Sequence, residues 1–330
     1  MRKEWMSLLF LVMVGSVVIM ACSKVVRETS EFHFSQRIPF VKETNFLAHT
    51  SYVFYGVFSS DGGYLATGSA DRTVRLWETV NWRQIAGVGE RYSQIWGMPL
   101  AFSGDDRYVV YGAYDTLALW DVDQKKTLVR VKGHAGGIQT IKKAEKMIVS
   151  GGADGFIRLW RLPELVLVGE RKISSKEIWS VAYDPLKRVV IAGGEDGSIS
   201  VFTFPELVPI YTTKEHLLPV EYVSVAPGGK IFASGGGEGI IFLWDEQSST
   251  PLKTLRGHVG AVLVLTFLDD RYLVSGGEDD MLLFWDWRSE KIVGMENVGS
   301  DVMALQYEPV TKRIFVGTRG GEIQIWKFQP

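Results

Sequence analysis

Cysteine is almost missing from this 330-residue chain: Cys22 is the single one. That excludes an internal disulfide framework and any multi-cysteine zinc or iron–sulfur site. Histidine is scarce too, five in all, and no two have metal-ligand spacing. No Asp-x-Asp-x-Asp-Gly calcium loop occurs, and no cofactor is expected. Neither sign of charge prevails, with 36 basic against 38 acidic residues and a net charge of −2. The chain therefore lacks the basic footprint of a general nucleic-acid binder, and no nucleic-acid partner is expected. A Gly-x-Ser-x-Gly elbow, a P-loop and a Gly-x-Gly-x-x-Gly run are all absent. What is plentiful is glycine, 35 residues, and aromatic rings, with 11 Trp, 12 Tyr and 17 Phe. This composition points to short strands joined by tight turns and excludes an intrinsically disordered chain.

Residues 1–21 differ from everything after them. Arg2 and Lys3 precede an apolar run, Leu8 to Met20, interrupted only by Gly15 and Ser16. Thirteen helical residues rise only about 20 Å, short of the ~30 Å hydrocarbon core of a bilayer. A charged start, a short apolar stretch and a small residue at the end describe a secretory signal peptide. The end reads Ile19-Met20-Ala21-Cys22, which resembles the bacterial lipobox, with Met20 where that motif usually has a small residue. The resemblance implies that Cys22 is lipidated and becomes the first residue of the mature protein. It implies a lipoprotein held on the non-cytoplasmic side of a membrane. Ser23, in place of the Asp that commonly retains such proteins at the inner membrane, favours the outer membrane where there is one. The alternative is an uncleaved signal-anchor with a cytoplasm-facing domain. Residues 22–34 then form a short tether, and His33 lies alone within it.

From residue 35 to 330 the chain repeats. Trp77 closes TGSADRTVRLW, Trp120 closes YGAYDTLALW, Trp160 closes SGGADGFIRLW and Phe202 closes AGGEDGSISVF. Trp244 closes SGGGEGIIFLW, Trp285 closes SGGEDDMLLFW and Trp326 closes GTRGGEIQIW. The spacings are 43, 40, 42, 42, 41 and 41 residues. Alternating apolar residues separate Gly/Asp turns within each unit, as strand, turn, strand, turn, strand. A period of 40 to 45 with a Gly-His start and a Trp-Asp end resembles the WD-repeat β-propeller family. The resemblance implies an all-β fold: one monomeric, seven-bladed propeller of four-stranded antiparallel blades. Only four residues follow Trp326, so the outermost strand of the last blade is expected from the N-terminal side, at Ser35 to Lys42. Such closure pairs two strand edges that would otherwise stay open.

Three units carry a polar set at matching offsets: His49, Thr67, Asp71 and Trp77; His134, Ser150, Asp154 and Trp160; His258, Ser275, Asp279 and Trp285. His, Asp and Ser together invite a catalytic reading, but a triad would not recur three times at blade spacing. In the family these positions form a buried hydrogen-bond chain within one blade, so they are assigned a structural role. Four units depart from the set. The fifth has His216 and Ser234 with Glu238 in place of Asp, and the fourth has Asp196 with Phe202. The second has Asp115 and Trp120 without Gly-His, and the seventh has neither His nor Asp, with Gly320 at the turn. These blades are expected to rest on packing and on their neighbours. The glycine runs at 228–229 and 235–237 fall where the repeat needs turns.

No catalytic residue is visible, so the expected function is a non-enzymatic scaffold that binds a protein or peptide on the broad top face of the propeller. The family places that face at residues early in each first strand and before each turn Asp. The first group gives Tyr52, Phe54, Trp96 or Met98, Gln139, Trp179, Leu263 and Met303; the second gives Tyr114, Glu195, Glu278 and Arg319. Tyr52, Phe54, Trp96, Tyr114 and Trp179 are the expected anchors, with Glu195 and Glu278 biasing the site toward a basic segment. Some of these rings would alternatively plug the channel mouth. An envelope hydrolase or lyase using carboxylates around the channel is the competing function. Its mark would be a cluster of inward acidic groups with a raised pKa in one pocket.

Overall fold

The computed structural model describes residues 40–91, 97–245 and 247–328. Cys22, Trp96, His33 and residues 35–39 of the expected closing strand lie outside them. Among the described residues there are 28 strands and no helix. They form seven sheets of four, each strand antiparallel to its neighbour. Blade 3 shows the pattern, with strands Ile138–Ala144, Met147–Gly152, Phe156–Arg161 and Val166–Lys172 running from the centre outward. Inner strands touch their neighbours all round, and that of blade 7, Val302–Glu308, packs on that of blade 1, Val53–Phe58. The chain is a closed seven-bladed propeller.

The burial pattern follows from this stacking. Each second strand is covered on both faces by adjacent blades, so Val189–Gly194 is buried at every position. Such strands read as continuous apolar runs rather than alternating ones. Outer strands are covered little, and Val166, Leu167 and Val168 all remain exposed. Core clusters straddle neighbouring blades, as where Ala66 and Leu76 of blade 1 join Tyr111 and Trp120 of blade 2. No blade can bury its faces alone.

Blade 7 is closed by Phe40–Leu47, which pairs antiparallel with Glu322–Phe328. The closing strand therefore lies about five residues later than Ser35–Lys42, and the two ranges share only Phe40, Val41 and Lys42. The reason is the length of the link between blades. Outer strand and next inner strand are separated by residues 133–137 between blades 2 and 3 and 257–261 between blades 5 and 6. The same five-residue link before Val53 requires the closing strand to end at Leu47. Gly321 O accepts from both Ala48 N and His49 N at 3.0 Å where the chain crosses to blade 1. The strand also docks on both neighbours, with Phe40 stacked on Phe284 at 5.3 Å and Phe46 against Trp77 at 5.1 Å. Arg313, from the strand one further in, binds the Glu43 carboxylate.

Candidate partner-binding cavity

The polar sets lie inside the blades. In blade 1, Trp77 Nε1–H donates to Thr67 Oγ1 at 2.9 Å, and His49 bonds Thr67 at 2.8 Å and Asp71 at 2.9 Å. Blade 3 repeats this with Trp160 to Ser150 at 2.8 Å, then His134 to Ser150 at 2.7 Å and to Asp154 at 2.8 Å. In blade 6, Trp285 donates to Ser275 at 2.8 Å, and His258 reaches Ser275 at 2.7 Å and Asp279 at 3.0 Å. All three imidazoles are fully covered. Burial pulls the Asp71, Asp154 and Asp279 carboxyls upward, but hydrogen bonds outweigh it and hold each below the ordinary range: from His49 and Thr73, from Arg158 and His134, and from His258. Burial lowers His134 and His216, so both are held neutral.

Blade 5 corrects the expectation that it rests on packing and on its neighbours. Glu238 bonds His216 directly, His216 bonds Ser234 at 2.7 Å, and Trp244 donates to Ser234 at 2.8 Å. The longer carboxylate completes the chain. Blade 4 substitutes differently: Ser174 occupies the His position, four residues before the inner strand, and its Oγ donates to Asp196 at 3.4 Å. Blade 7 has Val316 ten residues before Trp326, where four other blades have Ser or Thr ten before Trp. The Trp326 indole N–H is accordingly buried without a partner.

The site itself is made by a recurring irregularity of the inner strands. Six of them shift register near the top of the blade, between Val53 and Tyr55, Ile138 and Thr140, Ile178 and Ser180, Val220 and Tyr222, Val262 and Val264, and Val302 and Ala304. The residue skipped by each pairing is Phe54, Gln139, Trp179, Glu221, Leu263 or Met303. A β-bulge leaves its extra residue unpaired and re-aims its side chain. Here all six line one cavity of about 490 Å³ at the centre of the ring. Blade 2 contributes Gly97 instead; a Cβ there would stand 2.9 Å from the Phe54 ring. Met98, the other expected blade-2 position, is fully buried against blade 1 and faces no solvent. Tyr114 and Glu195 join from the turns of blades 2 and 4, and Glu177 from the link before Trp179.

The floor is a pair of tyrosines. Tyr55 and Tyr222 line both this cavity and a second one of about 270 Å³ deeper in the channel. Tyr55 Oη–H donates to Gln139 O at 2.5 Å, and burial raises its pKa. Lys142 Nζ donates to Tyr222 Oη at 2.9 Å. Phe54 lines both cavities as well, whereas Tyr114 and Trp179 line only the larger one.

Of the expected top-face residues, the cavity gathers Phe54, Gln139, Trp179, Leu263 and Met303 from the first group and Tyr114 and Glu195 from the second. Tyr52 lies outside it, with its ring against Phe54 at 5.7 Å and Arg319 over it at 5.1 Å. Arg319 is itself paired with Asp301 at 2.6 Å. Glu278 is exposed outside the lining, and its carboxylate accepts from Ala261 N at 3.4 Å. Sequence reasoning missed Glu177 and Glu221. Glu221 could have been found by counting, since each bulged residue lies five places after the His49, His134, Ser174, His216, His258 or Val298 position.

The lining carries three carboxylates, Glu177, Glu195 and Glu221, and neither lysine nor arginine. Glu177 accepts from Gln139 Nε2 at 2.6 Å, and Glu195 is paired with Lys176 at 3.6 Å. Glu221 has no hydrogen-bond or cationic partner among the described residues. Burial, with the charges of Glu278 and Glu238 adding to it, pushes its carboxyl up to about 7.

Fold, repeat and polar sets together define a WD-repeat propeller. The WD domain, G-beta repeat family matches residues 41–78, 125–161, 166–203, 207–245 and 249–286, and the chain belongs to it. Among curated proteins, Protein tipD of Dictyostelium discoideum is 26% identical over 140 residues, 42% of this chain and 22% of tipD. The tRNA (34-2'-O)-methyltransferase regulator WDR6 of Mus musculus is 28% identical over 134 residues, 38% of this chain and 12% of its own length. THO complex subunit 6 of Arabidopsis thaliana is 26% identical over 121 residues, 36% of this chain and 32% of that subunit. The matches thus cover well under half of each relative.

Proposed function

We propose that this propeller is a non-enzymatic scaffold that docks a protein or peptide partner, through a basic segment, at the central cavity of its top face. The observation that carries the reading is the convergence of six bulged side chains on one cavity whose lining has aromatic rings and carboxylates but no basic residue. Aromatic anchors in a concave, partly desolvated site are where binding energy concentrates, and a one-signed lining selects the opposite charge. The names of two relatives, a regulator and a complex subunit, agree with a role in assembly. Replacing Phe54 and Trp179 by Ala tests it, with melting and partner recovery measured on the same protein. Lost recovery with unchanged melting supports the cavity as the docking site; full recovery refutes it.

The location we propose is the cell envelope, on the non-cytoplasmic side, with a lipid on Cys22 as the anchor. Its support is the run Ile19-Met20-Ala21-Cys22 after a short apolar stretch. Several acyl chains on one residue give stable anchoring, since strength scales with buried methylenes. Cys22→Ser should abolish acyl labelling and leave the precursor uncleaved; an intact Met1 on the native protein would support the signal-anchor instead.

The hydrolase or lyase reading draws on Glu221, an inward carboxyl with a raised pKa among other carboxylates. A general acid needs an orienting partner and a second group tuned for the complementary role. Glu221 has no such partner, and Glu177 and Glu195 are engaged with Gln139 and Lys176. Binding is therefore the stronger reading. A bell-shaped pH–rate profile on a glycoside or peptide substrate, abolished by Glu221→Gln, would reverse the order.

A further inference from the structure

We propose that the cavity seats a single cationic side chain of the partner, an arginine or lysine, against Glu221, and that its entry releases a proton. The proposal rests on the docking reading above and names the chemistry of its centre. Glu221 occupies the bulge of blade 5, so its place in the wall is fixed by the inner strand and not by a mobile turn. Its Oε1 would be 3.6 Å from a Cβ on Gly237, as would Leu218 Cδ1, so a glycine and an aliphatic side chain border the carboxylate there. Trp179, one blade away, and Phe54 across the ring line the same cavity, and aromatic rings attract cations when water is excluded.

Every charged group near Glu221 leaves it short of a cation. Glu278 and Glu238 act on it as like charges, and Glu238 is held by His216. Burial holds His216 neutral, so it supplies no positive charge. Glu177 and Glu195 add negative charge from blade 4, and Lys176 pairs with Glu195 at the surface. Lys142, the cation beneath, belongs to the Tyr222 floor, with its Nζ bonded to Tyr222 Oη and 5.1 Å from the ring centroid. A half-buried carboxyl without a partner is still costly to ionise, and a protein gains nothing in stability from it. A ligand ammonium or guanidinium supplies the missing charge and favours the ionised form. The carboxyl proton then passes to solvent as the ion pair forms, with no covalent bond made or broken.

The test uses the full chain in detergent, with acetyl-arginine amide as probe and acetyl-citrulline amide as its neutral isostere. Binding is read from the tryptophan indole N–H signals by NMR at pH 6, 7 and 8. The expected result is binding of the arginine probe at least tenfold tighter than the citrulline probe. Its affinity should rise from pH 6 to 8, by up to tenfold per unit below 7, as one proton is released. Glu221→Gln should weaken the arginine probe at least tenfold and flatten its pH dependence. Equal binding of the two probes, or a Glu221→Gln protein that binds as the parent does, would overturn the proposal. Glu221→Gln removes a burial cost, so loss of folding does not confound it. The two readings fail separately. Partner recovery lost on replacing Phe54 and Trp179, with no arginine binding, sinks the cation seat alone. Arginine binding with recovery indifferent to those replacements sinks the docking reading.

Discussion

Single residues set the local energetics, and three of them make measurable claims. Glu221 has its folded pKa raised from 4.5 to about 7, so its neutral form is the one compatible with the cavity. The stability it contributes is present below pH 4.5 and is lost as pH rises through 7. Glu221→Gln should therefore melt higher than the parent at pH 8, by an amount on the order of 2–3 kcal/mol, and equally at pH 4. Denaturant midpoints at both pH values decide it. Trp326 offers the opposite case, a buried indole with no acceptor because Val316 stands where other blades have a hydroxyl. Val316→Thr should leave melting unchanged or raise it, since the new oxygen meets a waiting donor. The same change at Val190, fully buried beside Phe202 in blade 4, should cost about 1–3 kcal/mol. If both variants lost equally, the unsatisfied indole would carry no penalty. Asp154 is the third, accepting from His134, Arg158, Ala135 N and Phe156 N. Asp154→Ala and Asp71→Ala should each cost on the order of 1–3 kcal/mol, with loss of stability rather than of specific binding.

Elements are where sequence and structure partly disagree, and the reasons are geometric. The third strand of each blade was readable from its Trp or Phe, because that residue fills the same interblade space every time. The closing strand was misplaced by five residues, because composition around 35–47 does not reveal the link length between blades. Phe40–Leu47 pairs with the last strand and docks on blades 6 and 1 through Phe40 and Phe46. Deleting residues 23–47 should lower the melting temperature of the whole ring, whereas deleting 23–38 should leave it unchanged. Equal melting of the two truncations would remove this strand from the closure. The blade-5 hydrogen-bond chain was also under-read: Glu238 looked like a loss, but the extra methylene only moves the carboxylate along to the His216 nitrogen.

Across the whole molecule, acid should act first on imidazole and then on carboxylate. The folded pKa values of His134 and His216 are lowered, so the unfolded chain binds protons more readily. Their contribution is intact above the unfolded value of about 6.5 and is lost as pH falls below it. The depressed carboxyls of Asp154, Asp196 and Asp279 follow, their share being lost as pH falls below 3.8. Glu221 gains stability over the same range, so in the Glu221→Gln protein melting temperature should fall in two stages below pH 6.5, and substituting Asn for both His134 and His216 should flatten the first. A single transition confined to pH below 4 would contradict it. At this scale the sequence by itself determined the blade count, the strand order and the polar sets, because a 41-residue period of turns and apolar runs has one way to bury its faces. It also held seven of the cavity residues, Phe54, Gln139, Trp179, Leu263, Met303, Tyr114 and Glu195. The tertiary structure alone decided that Glu177 joins them, that Tyr52 and Glu278 do not, and that Tyr55 and Tyr222 line the deeper cavity as well. The reason is that a bulge shifts one residue between the two faces of a strand. Ring closure then sets which of those residues meet; the bulge can be counted from the His position of each unit, but the closure has no local signature in the chain.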